Sequence, residues 1–155
     1  MLDLACGEGR HSLAAAALGA RVVAIDRDPT RLDRARERAA EAGRSIEWRE
    51  VDLEGPWPEL GAFDAILVFN YLDRASMPRI LQLLFPGGML IMETFLEAQR
   101  DAGWGPTSPE HLLRPGELAG LVAPLTVIHG REAIETVDSS RWRAVASIVA
   151  RNSKR

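Results

Sequence analysis

Three aspartates and a pair of glycines carry the most informative chemistry in this 155-residue chain. Asp3-Leu4-Ala5-Cys6-Gly7-Glu8-Gly9 lies where an apolar run, Met1 to Ala5, gives way to an Ala- and Leu-rich stretch from about Arg10 to Leu18 that reads as a helix. Glycines at a strand-to-helix turn let backbone approach a ligand closely, and the helix end beyond them presents free N–H groups. A dinucleotide fingerprint would continue as G-x-G-x-x-G, its third glycine packing helix on strand. Ser12 stands at that position. The carboxylate four residues before the first glycine is not part of a pyrophosphate site; it suits a ligand with a cationic amino group. Asp26, 17 residues after Gly9, ends a second apolar run, where a carboxylate can accept from both hydroxyls of a ribose, of NAD or of another adenosine ligand. Asp52 ends a third run and can accept the exocyclic amine of an adenine. Any one of these reads equally well as a helix cap or loop carboxylate. Together with the glycine turn they line one crevice, because ligands bind at the carboxyl edge of such sheets.

Further candidates are His11, Tyr71, Glu93, Trp104 and His111, for contact with a second substrate. His11 falls on the first turn of a helix and reads as facing a site entrance with Arg10, or as a half-exposed polar residue. His111 lies in a long loop with good access, or is solvated. Tyr71 follows a strand and either reaches the site or caps that strand. Trp104, between Gly103 and Gly105, suggests a lid over a substrate or an anchor in the core. Cys6 reads as a packing residue, since nothing basic adjoins it in sequence to lower its pKa. No acid, base or nucleophile is assigned a catalytic role, and no metal-ligand spacing is present; His11, Tyr71 and His111 are the catalytic candidates.

The elements that must position these residues follow from the patterning. Short apolar runs at Arg21 to Ile25, Ile46 to Val51, Ala65 to Phe69 and Met89 to Phe95 alternate with helix-compatible segments, which predicts a parallel α/β sheet covered on both faces. Asp28 and Pro29 offer an N-cap and N1 pair for a helix running to about Ala42, with Leu32, Ala35, Ala39 and Ala42 at near-helical spacing and Gly43 closing it. A helix is expected around Met77 to Leu84, ended by Pro86-Gly87-Gly88. Ala102 to Pro115 exceeds the usual connection length, suggesting a functional lid or disorder. A short helix from Pro115 to Val122 follows, then two runs, Leu125 to His129 and Trp142 to Ala150, that predict a terminal antiparallel hairpin and bring the strands to seven.

Composition bounds the rest. At 155 residues, with 46% hydrophobic and 26% charged, the chain fits one domain, 1-155, with a genuine core. A single cysteine, no charged-then-apolar leader and no apolar run near the ~20 residues that span a bilayer point to a reduced, cytoplasmic setting and no membrane partner. A formal charge of −3 gives no global attraction for nucleic acid. The basic clusters Arg141-Trp142-Arg143 and Arg151 to Arg155 are short, so no nucleic-acid partner is expected.

On Asp3 to Gly9 (D-x-x-x-G-x-G), Asp26, Val51-Asp52, the strand Asp64 to Phe69 and the turn Leu84-Phe85-Pro86-Gly87-Gly88-Met89-Leu90, the chain resembles class I S-adenosylmethionine-dependent methyltransferases over nearly its whole length. Gly9-Arg10-His11-Ser12, Glu93-Thr94-Phe95 and Leu112 to Leu118 are similar to the branch that includes tellurite-resistance methyltransferases. The resemblance implies a Rossmann-like, mostly parallel seven-stranded sheet of order 3-2-1-4-5-7-6 with the last strand antiparallel and helices on both faces. It implies S-adenosylmethionine as cofactor and S-adenosylhomocysteine as product. Asp3 and the backbone at Ala5, Gly7 and Gly9 would hold the methionine moiety, Asp26 the ribose, and Asp52 with Leu53 the adenine, with Arg27 a further cofactor-binding residue. Phe69 and Asn70, with Tyr71, would border the sulfonium. The expected acceptor is a small molecule, a thiol, metalloid oxyanion or similar. A non-catalytic binding module and an NAD-binding oxidoreductase are the alternatives, the latter opposed by Ser12. Family members usually carry a leading helical segment before the first strand, whereas this chain starts two residues before Asp3. The expectation is therefore a truncated product, or closure of the crevice by a second subunit, as in a homodimer, or by the 102–115 loop.

Overall fold

The computed structural model describes residues 1–153, and the basic tail expected at Arg151 to Arg155 thus has Lys154 and Arg155 outside the described residues. Seven strands form one sheet in the order β3-β2-β1-β4-β5-β7-β6. They are β1 (Leu2–Leu4), β2 (Val23–Asp26), β3 (Glu47–Glu50), β4 (Phe63–Phe69), β5 (Leu84–Phe95), β6 (Thr126–Thr136) and β7 (Trp142–Arg151). β1 to β5 pair in parallel, and β7 runs antiparallel to both β5 and β6. This is the sheet order, with its reversed last strand, that the sequence resemblance implies.

β1 is only three residues long, yet Leu2, Asp3 and Leu4 are all buried, because it sits between β2 and β4. Period-two alternation sends Leu2 and Leu4 to one face and Asp3 to the other. On the first face Ile66, Val68, Leu90 and Met92 pack with Met77 and Ile80 of α3 (Met77–Gln82) and Leu118 of α4 (Glu117–Leu121). On the second, α1 (Arg10–Ala17) places Ala16 against Val22 and Ala24. Helix α2 (Pro29–Glu41) starts as expected: Pro29 occupies the first turn, and the Asp28 Oδ1 accepts from the amides of Thr30 (2.9 Å) and Arg31 (3.3 Å). Its Leu32, Ala35 and Ala39 are buried and form the packed stripe, whereas Ala42, the fourth position of that spacing, is the C-cap beyond Glu41 and is exposed.

Three elements differ from the sequence reading. β5 begins at Leu84, before the Pro86-Gly87-Gly88 breaker, which is accommodated as an irregularity in the ladder between the pairs Phe63↔Leu84 and Ala65↔Met89. β6 extends to Thr136 and carries polar residues along its length because it is the sheet's edge and almost wholly exposed. The 102–115 segment is neither unstructured nor a free lid. It contains a 3₁₀ turn at Pro109–His111, buries Leu112 and Leu113, and forms a parallel bridge from Leu113 to Leu96.

Candidate functional site

A cavity of about 610 Å³ opens at the carboxyl edge of the sheet, where β1 to β4 end in turns. That volume is in the range that holds nucleoside-sized ligands. After β1 the chain turns through two residues in the left-handed region, Ala5 (φ 55°) and Gly7 (φ 56°), and Asn70 after β4 has the same φ. Such strain at non-glycine residues is held only where surroundings over-determine it, and it clusters at binding sites. Here Cys6 N–H donates to the Ile25 carbonyl and Asn70 N–H to that of Glu93, both at 2.9 Å.

The three aspartates meet at this cavity. Asp26, 6% exposed, accepts the Gly7 amide on Oδ2 (2.7 Å) and the Asp28 amide on Oδ1 (3.0 Å), which ties the glycine turn to the end of β2. A carboxylate has about four acceptor positions, so one remains on each oxygen for a ligand diol. Asp52 uses Oδ1 for the Glu54 amide (3.0 Å). Asp3 is 2% exposed, and its Oδ2 accepts from the Ser12 hydroxyl at 2.5 Å. Ser12, where a dinucleotide fingerprint has glycine, thus serves to hold this carboxyl. Burial pushes Asp3 up to about 6, against the Ser12 bond, which favours the ionised form.

Ala5, Gly7, Arg27, Leu53, Phe69 and Asn70 also line the cavity. Gly9 does not; it lies behind the turn as the residue before α1, with φ 76°. A Cβ on Gly9 would fall 2.5 Å from the Trp48 ring and 3.2 Å from the Ala35 Cβ, so this glycine lets α1 approach α2 and β3. A Cβ on Gly7 would meet nothing within 4 Å, leaving the cavity side of the turn open.

Among the catalytic candidates, His11, Tyr71 and His111 all line the cavity. The His11 ring stacks on Phe69 with centroids 3.7 Å apart and planes at 13°. Its Nε2 lies 3.1 Å from an Arg10 guanidinium nitrogen. Arginine only donates, so Nε2 carries the lone pair and Nδ1 the proton. Burial, then the charge of Arg10, lower the imidazole's pKa against the opposing pull of Glu93. The Tyr71 hydroxyl is buried and has no hydrogen-bond partner among the described residues; burial, then the carboxylates of Asp73, Glu54 and Asp52, push it up to about 12. Burial likewise raises the Cys6 thiol, which packs beside Val22 and Ala24, in keeping with a packing role.

Glu93 and Trp104 are not among the lining residues. Glu93 pairs with Arg143 (3.1 Å) and accepts from Ser147 (2.8 Å). Trp104 is an anchor: its indole N–H donates to the Trp142 carbonyl (2.8 Å), and its ring packs edge-on against Phe95 in a cluster with Leu112 and Val145. The part of the segment that does reach the cavity is Pro106 and His111. It is held there by Arg74, which donates to both Glu117 carboxylate oxygens (2.6 and 2.9 Å) and to the carbonyls of Glu110 (2.9 Å) and Leu112 (2.8 Å). Sequence reading missed this clamp, because its partners are 36 to 43 residues apart and no local pattern joins them. Among the described residues no group of three or more His, Cys, Asp or Glu could hold a metal ion, and no helix is long and apolar enough to cross a membrane.

A parallel sheet of this order with a reversed last strand, and a cavity over the ends of β1 to β4, is the fold of S-adenosylmethionine-dependent methyltransferases. One such enzyme from Methanosarcina mazei superposes with a TM-score of 0.77 at 19% identity, covering 97% of this chain and 91% of that one. TehB of Haemophilus influenzae gives 0.77 at 16% identity over 97% of this chain and 57% of its own. At these identities the likeness is one of fold. Residues 1–88 match the model of the methyltransferase domain family, and the chain belongs to that family. A ubiquinone biosynthesis O-methyltransferase of Methylocella silvestris is 32% identical over 142 residues, 79% of this chain and 56% of that protein. The chain thus spans little more than half the length of that relative.

Proposed function

We propose that this chain binds S-adenosylmethionine in the cavity and transfers its methyl group to a small-molecule acceptor. One observation carries the reading: Asp3, Asp26 and Asp52 stand at the ends of three adjacent strands around a cavity of nucleoside size, with an open glycine turn between them. The donor set fits the ligand. Asp3 would take the amino group, the backbone of Ala5 and Gly7 the rest of the amino-acid moiety, Asp26 with Arg27 the ribose, and Asp52 with Leu53 the adenine. Phe69 and Asn70 border the place where a sulfonium would lie. The cofactor supplies an electrophilic methyl carbon on positive sulfur.

The chain's own residues then have mainly to hold an acceptor in line and keep water out, since positioning is worth several kcal/mol of the barrier in such displacements. The acceptors considered are a thiol, a metalloid oxyanion and, from the name of the Methylocella silvestris relative, a hydroxyl group. The test is incubation with methyl-labelled S-adenosylmethionine and a panel of thiols, metalloid oxyanions and hydroxylated compounds, reading S-adenosylhomocysteine formed. Turnover with wild type that is lost in Asp26→Ala supports the reading. Cofactor binding without turnover for any class would make the chain a binding module, and NADH binding in its place would make it an oxidoreductase.

A further inference from the structure

We infer that Arg10 is the acceptor-recognition residue of this cavity and that the acceptor is a small anion, bearing a carboxylate or another oxyanion, seated beside the His11–Phe69 stack. This rests on the methyl-transfer reading above. Three observations carry it. First, the arginines lining the cavity differ in their commitments: Arg27 pairs with Glu54 (3.5 Å) and Arg31 with Asp28 (3.4 Å), whereas Arg10 has no carboxylate partner among the described residues and touches only the His11 ring. A guanidinium is a planar fork matched to two oxygens of an anion. Here that fork is available at the cavity mouth.

Second, the acidic residue of its own turn, Glu8, is already engaged. Glu8 is bridged by Arg34 (2.9 Å) and Arg38 (3.4 Å), so the charge Arg10 presents is not cancelled from its own turn. Third, the proton chemistry of the site favours a nucleophile that arrives ionised. A neutral hydroxyl or amine acceptor must give up a proton. His11 has its one lone pair turned to Arg10, and Cys6 and Tyr71 keep their protons at neutral pH. Of the histidine, cysteine and tyrosine side chains that line the cavity among the described residues, this leaves His111, exposed on the rim. An anion needs none: its electron pair forms the new bond to the methyl carbon as the carbon–sulfur bond breaks toward sulfur, and anion plus sulfonium become two neutral products with no proton moved. The flat face of the His11–Phe69 pair would pack a planar body behind the anionic group.

The experiment is a calorimetric titration of the chain saturated with S-adenosylhomocysteine, using benzoate and selenite as anionic probes and benzamide and benzylamine as neutral and cationic controls of matching shape. The expected result is that an anionic probe binds at least about tenfold tighter than benzamide, and that Arg10→Ala lowers its affinity about tenfold or more. Arg10→Lys, which keeps the charge and loses the fork, should recover only part of it. Arg10 is exposed, so both variants should keep the wild-type melting temperature. The inference is overturned if benzamide binds as well as the anions, if no anion binds, or if Arg10→Ala leaves anion affinity unchanged. It is also overturned if Arg10→Ala weakens S-adenosylhomocysteine itself by the same factor, because the guanidinium would then serve the cofactor's own carboxylate. Failure of wild type to bind S-adenosylhomocysteine refutes the methyl-transfer reading instead, and the benzoate arms repeated without it still decide for or against Arg10.

Discussion

Replacing Asp3 with asparagine should stabilise the ligand-free chain while weakening the ligand. Asp3 lies in the interior of the sheet, 2% exposed, with hydrogen bonds from the hydroxyl and the backbone of Ser12 and a carboxyl raised from 3.8 to about 6 by burial. A folded-state pKa above the unfolded one means that the native chain binds the proton more tightly. Its contribution is fully present below pH 3.8 and is lost as pH rises to about 6. Two units correspond to about 3 kcal/mol at pH 7.5 and roughly half of that at pH 5. Asp3→Asn keeps an oxygen for the Ser12 hydroxyl and cannot ionise, so at pH 7.5 it should recover up to about 3 kcal/mol, a rise in melting temperature of about 6–12 °C for a chain of this length. Differential scanning calorimetry at pH 5 and 7.5 reads both values. Under the proposed function the same substitution removes the carboxylate that faces the amino group, lowering S-adenosylhomocysteine affinity about 10- to 100-fold. Wild-type affinity should itself fall about tenfold from pH 7.5 to pH 5, because binding must first release the Asp3 proton. Equal destabilisation by Asp3→Asn at both pH values would mean that burial of the ionised Asp3 carboxyl does not cost the native chain stability.

Gly9→Ala should cost about 2 kcal/mol or more in a denaturant titration, from its positive φ and the Trp48 contact, whereas Gly7→Ala should cost about 1 kcal/mol and show its main effect on S-adenosylhomocysteine affinity. Arg74→Ala should speed amide exchange across residues 109–113 about tenfold or more, read by hydrogen–deuterium exchange, without changing S-adenosylhomocysteine affinity. The Glu117 carboxyl, held at about 2 by the Arg74 bond, makes that clamp's contribution present above about pH 4.5 and lost only as pH falls toward 2, so the protection of this segment, corrected for the intrinsic pH dependence of amide exchange, should be constant from pH 5 to 8. Trp104→Phe should cost about 1 kcal/mol for the lost bond to the Trp142 carbonyl and leave ligand affinity unchanged; a change in affinity would restore the lid reading.

The sheet and its ligand edge were legible in the sequence because their signals are local. Apolar runs such as Ala65 to Phe69 mark strands covered on both faces, Asp28-Pro29 marks a helix start, and Asp26 and Asp52 fall at strand ends. What lay beyond reach depends on distant partners. The polar half of β6 reads as a loop until β7 supplies its ladder, and the 102–115 segment reads as a lid until Leu112, Leu113 and Trp104 find Phe95 and Val145. Gly9 and Ser12 show the same limit from the other side. Both were recognised in the motif, but their physical tasks, clearance for Trp48 and a bond to Asp3, come from residues brought together only by the fold.

Whether the cavity over the ends of β1 to β4 is a site for S-adenosylmethionine is decided by calorimetric titration of S-adenosylhomocysteine into the chain at pH 7.5, with NADH titrated in parallel. Saturable one-to-one binding of S-adenosylhomocysteine, and none of NADH, is the expected result. Absence of S-adenosylhomocysteine binding, or saturable binding of NADH in its place, would contradict it.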